Sequence, residues 1–74
     1  MVGFYDFKDF ADLISYYRAI AGMNQEDVAK KAKLSRVTIC NAESGKKTTF
    51  QTKIKIMKAL NVPAEIVKEF VKYN

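Results

Sequence analysis

The chain reads as all-α, a compact bundle of about five helices, and three observations predict it. Apolar residues recur at intervals of three and four in successive segments. Helix-capping residues open those segments, and Gly or Asn closes them. The 74 residues are 49% hydrophobic and 28% charged with three Gly and one Pro, the composition of a compact chain that forms one domain over residues 1–74 and no more.

Phe7, Phe10, Ile14, Tyr17 and Ala21 fall on one stripe of a first helix, with Asp6 as its N-cap, Asp9 in its first turn and Gly22 as its stop. Asn24 caps a second helix of about two turns, too short to stand without tertiary support. Its small apolar face is Val28, Ala29 and Ala32. Ser35 caps a third helix, in which Ile39 and Ala42 point inward until Gly45 ends it. The next segment satisfies two patterns, because Thr52, Lys53, Ile54, Lys55 and Ile56 alternate as a strand would while Phe50, Ile54, Met57 and Leu60 repeat as a helix. The helical pattern is longer, Met57, Lys58, Ala59 and Leu60 are good helix formers, and Asn61 tolerates the left-handed conformation that closes a helix. A helix is therefore expected. Pro63 suits the first turn of a last helix at about 63–73, with Ile66, Val67, Phe70 and Val71 as a broad apolar face that Tyr73 extends.

Residue counts remove whole classes of chemistry. With the single cysteine Cys40 and no histidine, the chain offers no intramolecular disulfide, no ordinary zinc constellation, no serine or cysteine catalytic dyad or triad, and no converging acid-base pair. Neither enzyme activity, metal nor cofactor is expected. The N-terminus lacks signal-peptide features and no apolar run approaches the roughly 18 residues of a membrane span, so a cytoplasmic, reducing location without membrane contact is expected.

The net charge of +5 is regional. Residues 1–29 hold two cations against five carboxylates, a net of −3, whereas residues 30–58 hold nine cations against Glu43 alone, a net of +8. A solvated lysine surface is usually interspersed with acids, so this asymmetry points to a polyanionic partner. The basic concentration centres on the third helix, which a short break at Ala32, Lys33 and Leu34 separates from the second. That is helix-turn-helix arithmetic, at about residues 24–44. Major-groove reading needs a helix whose first turn enters the groove while its predecessor braces it across the backbone, and Arg36, Val37, Thr38 and Asn41 occupy its outward positions.

Arg18, then Gly22-Met23-Asn24-Gln25-Glu26-Asp27-Val28-Ala29, Leu34-Ser35-Arg36-Val37-Thr38-Ile39, Glu43-Ser44-Gly45-Lys46 and Ala59-Leu60-Asn61-Val62 resemble the phage-repressor and Cro type of helix-turn-helix domain, also called XRE type. The resemblance covers about residues 10–66. It implies a lambda-repressor-like five-helix bundle that binds double-stranded operator DNA, usually as a homodimer, and regulates transcription, here as a repressor reading the major groove with the helix that starts at Ser35. By position, Arg36, Val37, Thr38 and Asn41 match the base-reading residues. Arg36 suits guanine O6 and N7, Val37 a thymine methyl, and Asn41 an adenine or a phosphate. Gln25 at the start of the second helix matches the family's glutamine that contacts a phosphate and supports a recognition side chain, with Asn24 alongside it, and Lys46, Lys47 and Thr48 match the loop that grips the backbone beyond the recognition helix. The family pattern makes Arg18 and Glu43 an ion pair joining the first and third helices. Val67, Phe70, Val71 and Tyr73 are the candidate dimer contacts, beside the aromatic segment around Phe4 and Tyr5. The chain departs from the family at Lys33, where glycine is common because the turn needs positive φ, and at Ala42, which is smaller than the usual apolar residue. The first departure costs about 1 kcal/mol.

Blander readings stand beside these. Cys40 reads as a small packed residue rather than a redox sensor. Helical spacing assigns Phe4, Tyr5, Phe7, Phe10, Tyr16 and Tyr17 to core or interface rather than to a platform for single strands. Lys53, Lys55 and Lys58 are either a solvated face or long-range help to DNA binding. The same bundle also serves in antitoxins and repressor modulators as a protein-interaction module, which is the alternative function, with a protein partner in place of DNA.

Overall fold

A computed structural model describes residues 7–73, with the backbone alone at Tyr73. Phe4, Tyr5 and Asp6, and the side chain of Tyr73, therefore lie outside the described residues. Among those described, the chain forms five helices and no strand: α1 (Phe10–Ala21), α2 (Gln25–Ala32), α3 (Arg36–Glu43), α4 (Phe50–Ala59) and α5 (Ala64–Tyr73).

Side-chain oxygens mark where the first four helices begin, because each accepts from an amide that has no partner within its helix. Asn24 and Asp27 form a reciprocal capping box at 2.8 and 3.2 Å. Ser35 Oγ accepts from the Thr38 amide at 3.2 Å, and Thr49, which the sequence did not single out, does the same for Thr52. One expected cap is corrected. α1 opens at Phe10 on Asp9, whose Oδ1 accepts from the Asp12 amide at 2.9 Å, so Asp9 is the cap rather than a first-turn residue. Phe7 precedes the helix and packs its ring 5.3 Å from Tyr16 and 5.9 Å from Tyr17. Burial, and Tyr16 beside it, raise the Tyr17 phenol above its ordinary pKa.

Left-handed residues turn the chain out of its helices at Gly22 (φ 67), Lys33 (φ 59), Gly45 (φ 83) and Asn61 (φ 55). At Lys33 the reversal lets the Leu34 amide reach the Ala29 carbonyl at 2.8 Å, closing α2 and leaving Ser35 free to cap α3. Ala32 stays helical, so the break runs from Lys33 to Ser35.

Residues 50–59 are helical and resolve the strand-or-helix ambiguity, although the buried face differs from the expected stripe. Ile56, Met57, Ala59 and Leu60 are buried, Ile54 is half-buried, and Phe50 remains 45% exposed. On α1, Leu13 joins Ile14 and Tyr17 inside, while Ala21 at the C-terminal end is exposed. α2 packs on α3 and α4, and α1 packs on the same pair. α5 closes the core with Ile66 and Phe70.

Phe70 corrects a further expectation. Placed among the dimer contacts, it is only 4% exposed. Its ring stacks on Phe50 at 5.7 Å and tilts against Phe10 at the same separation. The Lys53 ammonium lies 5.5 Å from the Phe10 ring centre and 5.8 Å from that of Phe70. Lys53 thus belongs to this aromatic cluster, a cation over π faces rather than part of a solvated stripe.

Candidate nucleic-acid interface

α3 is amphipathic in the way a groove-reading helix requires, since its inner face is apolar and anchored. Ile39 and Ala42 are buried, which fixes the rotation of the helix about its axis. Arg36 and Val37, in the first turn, are exposed, Val37 to 67%. An exposed valine beside an arginine at a helix start is an apolar-plus-cationic pair with no partner in the described fold. Thr38 and Asn41 are half-buried. The Thr38 hydroxyl is shared with Ser35 Oγ at 2.9 Å, and the Asn41 carbonyl accepts from Ser44 Oγ and the Lys46 amide.

A chain of side-chain hydrogen bonds ties α3 to α1 and α2. Arg18 Nε donates to Glu43 Oε1 at 2.9 Å, and another Arg18 nitrogen donates to the Met23 carbonyl at 3.2 Å. Glu43 Oε2 accepts from Gln25 Nε2 at 3.0 Å, and Gln25 Oε1 accepts from the Cys40 thiol at 2.9 Å. Arg18, Asn24, Gln25, Glu26 and Arg36 line an open polar groove of about 340 Å³ above this chain. The Asn24 side-chain oxygen is engaged in its capping box.

The sequence reading assigned Gln25 a phosphate contact and the support of a recognition side chain, and Cys40 a packing role; it missed that the side chains Gln25 bonds are Glu43 and Cys40. A signal for them existed. Cys40 and Glu43 are three apart on α3 and so share one face of it, the face that meets the start of α2.

Beyond α3, Gly45 in the left-handed region launches the loop, and the Lys46 amide closes back on the Asn41 carbonyl at 2.9 Å. Lys46 and Lys47 are exposed on this backbone-braced loop, and Thr48 Oγ1 donates to the Lys46 carbonyl at 3.3 Å. At the far end of the chain Val67 is half-buried and Val71 is 49% exposed. Among the described residues no cluster of His, Cys, Asp or Glu could hold a metal ion, and no helix is long and apolar enough to cross a membrane.

Residues 14–67 match the sequence profile of the helix-turn-helix family. Among solved structures, the chain is similar to a point mutant of the restriction-modification controller protein C.Esp1396I, at 31% identity and a TM-score of 0.68. That alignment covers 88% of this chain and 90% of the other. No match was found among curated protein sequences.

Proposed function

Because this chain belongs to the XRE-type helix-turn-helix family of DNA-binding transcription regulators, we propose that it is a sequence-specific repressor that reads the major groove of duplex DNA with α3. The observation that supports this most is the exposure of Arg36 and Val37 at the first turn of a helix whose opposite face is locked into the core. Arg36 pairs with a guanine edge through two N–H donors, Val37 packs on a thymine methyl, and Thr38 and Asn41 complete the base-reading set. Asn24 and Gln25 on one side, with Lys46, Lys47 and Thr48 on the other, hold phosphates and so fix the register of α3 without reading sequence. Two copies related by a two-fold axis would set their α3 helices one turn of DNA apart, and Val67 and Val71 supply the contact. A bound dimer represses by occupying promoter DNA, in the cytoplasm of a bacterial or phage-infected cell. The 31% identity to a restriction-modification controller supports control of a gene of that kind.

Selection of bound sequences from a random duplex pool, followed by a salt titration on the enriched site, tests the reading. An enriched motif and a steep loss of affinity with salt are expected. No enrichment at low salt would replace this reading with a protein-interaction module of the same fold.

A further inference from the structure

The side-chain amide of Gln25 is held from both ends. Glu43 is bonded to Arg18 and, as a carboxylate, only accepts, so the amide nitrogen of Gln25 must face it and the amide oxygen must face Cys40. The Cys40 thiol then meets that oxygen as a donor at 2.9 Å. The two contacts select one of the two flip states of the amide and restrain the rotations that would otherwise be open to a glutamine. Of the two N–H bonds on Gln25 Nε2, one goes to Glu43. The other is left for the polar groove that Gln25 lines with Asn24 and Arg36.

We propose that Cys40 is a positioning residue for DNA binding: with Glu43 it fixes the Gln25 amide so that its second N–H meets a phosphate without prior reorganisation. The proposal deepens the DNA-binding reading and rests on it. Preorganisation matters here because a side chain already ordered in the free protein loses little freedom on binding, whereas a free glutamine must be ordered at that moment. Cys40 lies one position from Asn41 on α3, so its thiol also couples the phosphate grip at the start of α2 to the rotation of the reading helix.

The test uses the whole chain with two readouts, one of which needs no DNA. In the free protein, NMR relaxation of the Gln25 side-chain amide is expected to report rigidity close to that of the backbone in the wild type and in Cys40→Ser, whose hydroxyl keeps a donor, and mobility in Cys40→Ala. Affinity for the selected duplex is expected to fall about 2- to 10-fold in Cys40→Ala, the range of one neutral hydrogen bond, and to recover in Cys40→Ser. In a Gln25→Ala background, Cys40→Ala is expected to cause no further loss, because it acts through Gln25. Equal amide rigidity in Cys40→Ala and wild type overturns the proposal, as does an undiminished loss in the Gln25→Ala background. Failure of the wild type to bind any duplex, with the amide rigid and Cys40-dependent, instead removes the DNA reading while the clamp stands.

Discussion

Lys33 holds φ 59 and ψ 43, a conformation in which its Cβ crowds the carbonyl of its own peptide, yet the turn that sets α3 against α2 depends on it. The side chain is exposed, so little burial is available to offset that crowding. Lys33→Gly is therefore expected to stabilise the fold by a few tenths to about 1 kcal/mol, net of the entropy a new glycine adds to the unfolded chain. Urea unfolding checks the sign, and a clear loss would mean that the aliphatic part of Lys33 contributes packing that outweighs the strain. Arg36 and Lys47 should separate the two kinds of DNA contact. Arg36→Ala is expected to cost about 1 to 3 kcal/mol at its preferred base and to relax selectivity there. Lys47→Ala should weaken all duplexes alike and lower the salt slope by about one. Equal losses on selected and random DNA for Arg36→Ala would remove it from base reading.

At the scale of elements, α3 is an eight-residue helix that buries only Ile39 and Ala42. Beside its packing on α1 and α2, the Arg18–Glu43–Gln25 and Cys40–Gln25 bonds attach it to both helices. Glu43 is the junction, its side chain 10% exposed and bonded to α1 and α2 at once. Glu43→Ala leaves the Arg18 guanidinium, itself 31% exposed, without its carboxylate. The expected loss is about 2 kcal/mol, below the figure for a fully buried pair because water reaches Arg18. Chemical denaturation checks it, and a loss under about 0.5 kcal/mol would show that the pair contributes nothing to holding α3. The exposed Glu26–Lys30 pair, at 3.8 Å, is a contrasting control whose removal should be nearly silent.

For the whole molecule, size limits what one copy can read. The described fold measures 27 × 24 × 18 Å, and on the proposed reading it offers one helix to the groove, enough for a few base pairs. A two-fold dimer would bring a second Arg36 about 34 to 36 Å away and impose a palindromic site. Phe70 is committed to the Phe10 and Phe50 rings, so among the described residues Val67 and Val71 on α5 carry the candidate contact. Sedimentation with and without the selected duplex should give two chains per duplex at saturation. One chain per duplex, or an enriched site lacking a dyad, would sink the dimer.

What depends on near neighbours was legible along the chain. Asn24 and Ser35 as caps, Gly22 and Asn61 as left-handed stops, and the helical character of 50–59 all rest on interactions within about four residues, which side-chain spacing reveals directly. Where two acids three apart both satisfied the local rule, spacing alone misassigned the cap of α1 to Asp6 in place of Asp9. Helix crossings decided the rest. Cys40 and Gln25 are 15 residues apart and Gln25 and Glu43 are 18 apart, so no local pattern joins them. The Arg18–Glu43 pair, 25 residues apart, was legible only through likeness to a family. Phe70 and Lys53 found the Phe10 ring because α5 and α4 converge on the start of α1. Periodicity says which residues share a face; only packing says what that face meets, because the angle between two helices is set by all the side chains between them.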